Sequence, residues 1–398
     1  MRITIVYRYF WPDTPPYAEM LKQISAWLVE EGHEVQILTA QPAYKPEANI
    51  PNQPVHEIMD GVSIIRLPLL KEGGVGWKKV INSLLFIAQA FIRILFGRKN
   101  DVVWTATMPP VLQALMVMIA GKLRGARFLY HMQDIHPEIS ITSNVMKSNV
   151  FTRLMISIDR FTQTRSTKIV VLSDDMRQSV IERGIPSGKV VLVRNFSLGE
   201  SEGGIRAMAP RNGEVIKFVF AGNIGRFQNL NALVESFKEV SPADAELIFV
   251  GDGRAKKELI ELVENQKIEN ISFMDHMTAG EVFGLICKCH VGVISLLPGL
   301  YRYAFPSKLL TYMAANLPVF ALIEDHSALA KLLKGKQIGV SVSWDKPLSE
   351  VRTAILAAAT LARAQKTEPR ILKEYYHPDE ARKSWLALMN SLEAQLAK

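Results

Sequence analysis

The run Leu317–Leu322, LPVFAL, is short and almost wholly apolar, as in a strand buried on both faces. Strands of that kind belong to parallel sheets covered by helices. Ile3–Tyr7 reads as the first strand, Tyr17–Glu31 as an amphipathic helix closed by Gly32, and Val35–Leu38 as the second strand. This strand–helix–strand rhythm opens a Rossmann-like domain. Further strands are expected at Val62–Leu67, Asp101–Thr105, Arg127–Tyr130, Ile169–Leu172 and Val190–Val193, with Ser173 and Asp174 capping a helix. Gln41–His56 reads as a surface loop, Lys71–Gly76 as a glycine-rich turn, and Phe196–Asn212, rich in Gly, Ser and charge, as a linker. The alternation then restarts at Val215–Phe220 and continues at Glu246–Val250, Ile271–Phe273, Val291–Ser295 and Val319–Leu322. A chain of 398 residues has room for two such domains. The expected division is an α/β domain over 1–195, a second over 213–377, and a helical tail over 378–398.

Lys78–Lys99 is the most hydrophobic segment. Arg93 inside it argues against a membrane-spanning helix. Two readings remain open: an interfacial helix pressed on anionic lipid, or a buried crossover helix of the first domain. A net charge of +8 favours anionic partners in general. No basic patch is interleaved with aromatics, so nucleic acid is not expected among them. The two cysteines, Cys287 and Cys289, lack zinc spacing and are too close for a structural bridge, which fits a reducing, cytoplasmic compartment. No secretory signal is visible, because the opening apolar run is interrupted by Arg8.

Four stretches can carry chemistry. His131-Met132-Gln133-Asp134-Ile135-His136-Pro137-Glu138 follows a strand, at the edge where open parallel sheets bind ligands. As metal ligands these residues are poorly spaced, since Pro137 breaks any regular pattern. In the second half, Ala221-Gly222-Asn223-Ile224-Gly225-Arg226 and Gly251-Asp252-Gly253 both follow strands. Pro306-Ser307-Lys308 opens a helix whose apolar face is Leu309, Leu310, Met313 and Ala314, ended by Asn316 and Pro318. Each of the three is a turn or cap on the bland reading. Together, at equivalent strand ends, they suit a nucleotide pocket in which Arg226 and Lys308 meet phosphate.

These residues resemble, almost end to end, the retaining glycosyltransferases of the GT-B fold that build bacterial surface polysaccharides (glycosyltransferase family 4, group 1 transferases). The marks are Glu31-Gly32-His33-Glu34-Val35, Asp134 with Pro137-Glu138, the two glycine turns, and Pro306-Ser307-Lys308 with Ala314-Ala315 and Pro318-Val319. The resemblance implies two Rossmann-like domains with a cleft between them and a terminal helix crossing back to the first. It implies a nucleotide-sugar donor held by the second domain at Gly222, Asn223, Gly225, Arg226, Gly251, Asp252, Ser307, Lys308, Leu309 and Thr311. The acceptor, a saccharide or lipid-linked saccharide, would lie on the first domain near Asp134, with His131 and His136 as catalytic candidates. An anionic membrane surface would be met through Lys78–Lys99. Neither a metal nor a cofactor is expected, and the chain has no Asp-x-Asp.

The departures from the family pattern are specific. The glutamate that would bind the donor ribose is Thr311, and another eight residues earlier is Tyr303. The Gly-Gly pair of the first loop is replaced in Thr14-Pro15-Pro16-Tyr17, and the family's His-Asp pair is Gln133-Asp134. Proline has no N–H to offer a phosphate. The two readings are an active transferase with an altered donor site and a degenerate partner subunit that binds without turnover.

Overall fold

A computed structural model describes residues 1–13, 15–43, 50–70, 76–198, 209–225, 227–275, 277–364 and 375–396. Thr14, Arg226, residues 44–49 of the expected surface loop, residues 71–75 of the expected glycine-rich turn, and the middle of the expected linker lie outside the described residues. The chain forms two compact units. Met1–Ile141, Met146–Leu198 and Asp379–Lys398 make the first, and Thr142–Val145 with Gly199–Pro378 the second.

The first unit runs β1 (Arg2–Val6), α1 (Pro16–Glu30), β2 (Glu34–Ala40), β3 (His56–Met59), β4 (Val62–Leu67), α2 (Gly76–Phe96) and β5 (Val102–Ala106). It continues with α3 (Leu112–Leu123), β6 (Arg127–His131), α4 (Glu138–Thr142), α5 (Val150–Arg165), β7 (Lys168–Val171), α6 (Asp174–Glu182) and β8 (Val190–Leu192). Its strands lie in the order β3-β4-β2-β1-β5-β6-β7-β8. All pairs are parallel except β3 with β4, whose turn, Asp60-Gly61, has both residues at positive φ. Central β1 is buried from Ile3 to Val6, as its continuous apolar run requires. Helix ends follow local chemistry: Ser173 caps α6 by accepting the Met176 N–H, and Gly32 ends α1 at φ 81°. The last helix, Pro378–Leu396, packs in this unit, where Trp385 stacks on Trp104 at 4.6 Å.

Helix α2 has the buried face that the crossover reading requires, and a second face that is apolar and exposed. Phe86, Ala90 and Ile94 are buried in the unit. The polar residues that interrupt the run also face protein: Asn82 exchanges hydrogen bonds with the backbone of Leu70, Ser83 accepts from Arg8, and Gln89 donates to the Pro68 carbonyl. Its apolar residues on the opposite side are exposed.

The second unit repeats the alternation: β9 (Ile216–Ala221), α7 (Leu230–Lys238), β10 (Ala245–Val250), α8 (Lys256–Asn265), β11 (Ile271–Met274), α9 (Ala279–Ile286) and β12 (Val291–Ser295). Then come α10 (Lys308–Ala314), β13 (Val319–Leu322), α11 (Ala328–Lys336), β14 (Gly339–Val342) and α12 (Leu348–Arg363). Its sheet is wholly parallel, in the order β11-β10-β9-β12-β13-β14. Phe218, Phe237, Phe249 and Phe320 fill the core between sheet and helices. Asn316 ends α10 at φ 60°.

Candidate active site

In the second unit the strand order reverses between β9 and β12. Loops leaving the two strands diverge at such a point, and ligands bind outside the carboxyl ends. Here the strands pair only through Val291 with Phe218 and Gly292 with Val219. Beyond that point Tyr312 of α10 enters between them. Its hydroxyl accepts the Ala221 N–H at 3.0 Å and donates to the Val293 carbonyl at 3.2 Å. Gly292 gives it room, because a Cβ there would lie 2.3 Å from the Tyr312 ring. Tyr312→Phe should therefore leave a buried amide and a buried carbonyl unsatisfied, at about 1–3 kcal/mol each. Denaturant unfolding is expected to show a loss of about 2 kcal/mol or more. An unchanged midpoint would mean that the hydroxyl bridges nothing in solution.

Lys308 opens α10 and turns back over the loop leaving β9. Its Nζ lies 4.6 Å from the centre of the Phe220 ring, and a Cβ on Gly222 would come within 3.2 Å of its Cε. Gly222, at φ 119°, holds a backbone conformation that favours glycine. Burial lowers the Lys308 ammonium to about 8, and no carboxylate among the described residues raises it again. The Lys308 side chain is thus partly covered by protein, over the Phe220 ring. It is a desolvated charge without a counter-ion among the described residues.

The other expected donor residues fall into three groups. Gly222 and Asn223 are exposed at the carboxyl end of β9, beside Lys308. Gly251 and Gly253 answer a packing need instead: a Cβ on either would sit 2.2 Å from the carbonyl oxygen of Gly222 or Ile224. Backbone bonds from Gly222 to Val250, Ile224 to Asp252 and Ala255 to Ile224 lace these two turns together. Gly225 gives its N–H to Gln228 Oε1, and the exposed Asp252 accepts from Gly253. Leu309 is fully buried and its N–H goes to the Pro306 carbonyl, which leaves the first-turn amides of Ser307 and Lys308 as the donors a ligand could use. Ser307 makes no side-chain cap bond, and Thr311 is exposed.

In the first unit the polar cluster lies at the carboxyl end of β6. His131 is buried and both ring nitrogens are engaged: Nδ1 with the Tyr17 hydroxyl at 2.8 Å and Nε2 with Gln133 Nε2 at 2.8 Å. Asn195 donates to Gln133 Oε1 at 3.0 Å, which turns the Gln133 NH2 group toward His131 Nε2 and leaves the proton on Nδ1. Burial lowers the imidazole to about 3, so it stays neutral. Its two nitrogens are thus held between Tyr17 and Gln133. Tyr17 and Asn195 are site neighbours that sequence reasoning missed; the only hint was Tyr17 directly after the helix-opening Pro16.

Asp134 and His136 differ from His131. Burial raises the Asp134 carboxyl to about 6 and lowers the His136 imidazole to about 4. Neither side chain has a hydrogen-bond partner among the described residues, although Asp134 N–H reaches Thr107 Oγ1 at 3.4 Å. Glu138 is spoken for: Arg183 pairs with it at 2.5 Å and with the fully buried Asp159 at 2.7 Å. Asp159 also accepts from Tyr130 and Gln163.

Two largely parallel, helix-covered sheets with a terminal helix returned to the first unit define the GT-B class of transferases. Residues 17–195 match the family described as Glycosyl transferase 4-like domain, and residues 216–358 match Glycosyl transferases group 1. The chain belongs to this family of glycosyltransferases, the group 1, family 4 type. WbjE of Pseudomonas aeruginosa, named as a glycosyltransferase, is 25% identical over 67% of this chain and 70% of its own. WcaI of Escherichia coli, named for colanic acid biosynthesis, is 22% identical over 83% of this chain and 86% of its own. Among solved structures, sucrose-phosphate synthase from Thermosynechococcus elongatus superposes with a TM-score of 0.72 at 14% identity, covering 99% of this chain and 100% of that one. Anabaena HepE in complex with UDP-glucose gives 0.68 at 12% identity, covering 98% and 100%.

Proposed function

We propose that this transferase moves a sugar from a nucleotide-sugar donor to a saccharide or lipid-linked saccharide in the assembly of a bacterial surface polysaccharide, with retention of configuration. The observation that carries the donor assignment is Lys308, a desolvated ammonium with no carboxylate partner among the described residues, at the switch point of the second unit. A diphosphate supplies the missing counter-charge, and the first-turn amides of α10 with the exposed Gly222 turn supply donors. The same groups offset the charge that develops on the leaving diphosphate. A solved neighbour bound to UDP-glucose supports the donor class, and the name of WcaI supports the polysaccharide setting.

The first unit takes the acceptor. Asp134, whose carboxylate has no hydrogen-bond partner among the described residues, orients the attacking hydroxyl. The hydroxyl attacks on the face that the diphosphate leaves, with a donor phosphate oxygen taking its proton, so no protein nucleophile is needed. An acceptor carried on lipid places the enzyme at the cytoplasmic face of an anionic membrane, with α2 as its contact.

Thermal shift against a set of nucleotide sugars tests the donor. A ligand at about 100 times its dissociation constant stabilises by roughly 2.7 kcal/mol, which a melt reads easily. A nucleotide sugar that stabilises should then be cleaved to nucleoside diphosphate only when a saccharide acceptor is present, and NMR of the product should show the donor's anomeric configuration. No shift with any nucleotide sugar would defeat the reading, and an inverted product would defeat retention.

A further inference from the structure

The amphipathic pattern of α5 is inside out. Its buried residues are Thr152, Asp159, Thr162 and Gln163, all polar. They are used: Thr152 completes a capping box with Asn149, and Asp159 is the hub that joins Tyr130, Gln163 and Arg183. Its outward residues Val150, Phe151, Leu154 and Phe161 are apolar and range from 47% exposed at Phe161 to 82% at Val150. A surface helix ordinarily does the opposite.

Helix α2 shows the same inversion. Asn82, Ser83 and Gln89 bind protein, while Trp77, Val80, Leu84, Ile92 and Phe96 are between 50% and 79% exposed. The strand order makes the two helices near neighbours. The crossovers β4–α2–β5, β5–α3–β6 and β6–α5–β7 all step in one direction along the sheet. Right-handed connections place all three on one face. Helix α3 packs between the other two and exposes Leu112 and Leu123. Apolar patches of this extent on a soluble surface mark an interaction site.

Charge identifies the partner. From residue 76 to 168 the only acids are Asp101, Asp134, Glu138 and Asp159, and none of them is exposed. Lys79, Arg93 and Lys99 are exposed on or just after α2, and Arg153, Arg160 and Arg165 on α5. Basic groups also lie over the exposed aromatics: Lys78 over Trp77 at 5.8 Å and Arg165 over Phe161 at 5.2 Å. An apolar centre with long cationic side chains and no free carboxylate complements anionic headgroups over acyl chains. A protein partner would ordinarily be met by charges of both signs.

We propose that α2, α3 and α5 together form one membrane-docking face for an anionic bilayer, with α5 supplying the half that the hydrophobic segment of the sequence does not reveal. The proposal deepens the membrane-borne acceptor reading but is tested without donor or acceptor, so the two can fail separately.

The test is flotation of the full-length protein with phosphatidylcholine vesicles, with and without phosphatidylglycerol. The wild type should float with the anionic vesicles and be released by salt. Phe151→Ser combined with Leu154→Ser on α5 should weaken that binding about tenfold or more, as should Val80→Ser with Leu84→Ser on α2. Both double variants should keep the wild-type melting temperature and donor-induced thermal shift, since neither pair is buried. Phe151→Trp should show a blue-shifted emission on anionic vesicles. If the α5 pair changes nothing while the α2 pair abolishes binding, the three-helix face is wrong and only α2 docks. Absence of binding to any vesicle overturns the proposal outright. So does a concentration-dependent dimer that the α5 pair dissolves, because the face would then be covered by a second copy of the chain.

Discussion

Lys308→Met is expected to weaken binding of a nucleoside diphosphate by about tenfold or more, and to lower turnover with it. This corresponds to the loss of one charge-assisted contact of roughly 1.5–3 kcal/mol. Methionine keeps a flexible stem over Phe220 and Gly222, so the packing that a shorter side chain would empty is preserved. The stability side has a definite sign. Burial lowers the folded-state ammonium to about 8, below its ordinary value. The folded protein thus holds this proton less tightly than the unfolded chain. That penalty is fully present below about pH 8 and fades as pH rises toward the ordinary lysine value. Removing the charge should leave the protein at least as stable at neutral pH. A residue kept at a cost to stability and needed for binding is the signature of a functional charge. Diphosphate affinity of the wild type should also fall as pH rises through about 8, and that fall should vanish in Lys308→Met. Unchanged affinity in a variant shown to be folded would move the phosphate site elsewhere.

Much of the fold is visible in the residues because both sheets are covered on both faces. Strands such as Ile3–Val6 and Val291–Ser295 are then continuous apolar runs that no helix or loop mimics. The strands that sequence reading passes over, β3 and β14, are two of the four edge strands, where burial is partial. For β3 the Asp60-Gly61 turn was the available signal. Helix α5 escapes for a different reason: its polar residues serve a buried network, and its apolar residues face out, so a search for an apolar buried face finds the wrong side.

The site is legible in its positions and not in its purposes. Gly222 and Gly251 stand at equivalent strand ends and look alike in sequence. Only the backbone shows that Gly251 makes room for the carbonyl of Gly222 while Gly222 lies beneath Lys308. His131 is likewise a catalytic candidate by sequence. Its partner Tyr17 is 114 residues away, and no local pattern announces that both ring nitrogens are taken. Burial itself is the hidden variable. It turns Lys308 into a desolvated charge with no carboxylate partner among the described residues. It raises the carboxyls of Asp134 and Asp159 alike, and Asp134 differs in that its side chain has no hydrogen-bonded neighbour among those residues.

Asp134→Asn should reduce kcat by about 10- to 100-fold, the range expected when a group that orients a reacting hydroxyl is lost, and should abolish an acid limb near pH 6. Burial raises the Asp134 carboxyl to about 6, and no hydrogen bond among the described residues holds its oxygens. The sign again separates function from scaffold. A folded-state value raised above the ordinary carboxylate means that the fold disfavours the ionised form. The penalty is absent at acid pH, grows as pH rises from the ordinary value, and is complete above about 6. Asparagine carries no charge to desolvate and has nearly the same shape, so Asp134→Asn should be equally or more stable at neutral pH. A scaffold carboxylate would give the opposite result, as Asp159 would if its bonds to Tyr130, Gln163 and Arg183 were removed. With Asp134 acting as the ionised group, kcat/KM for the acceptor should climb as pH rises through about 6 and fall again near 8 as Lys308 discharges, tracing a bell. Parallel measurement of kcat/KM and melting temperature from acid to alkaline pH decides the matter. A variant that keeps the full rate, or one that loses activity together with stability, would remove Asp134 from the reaction.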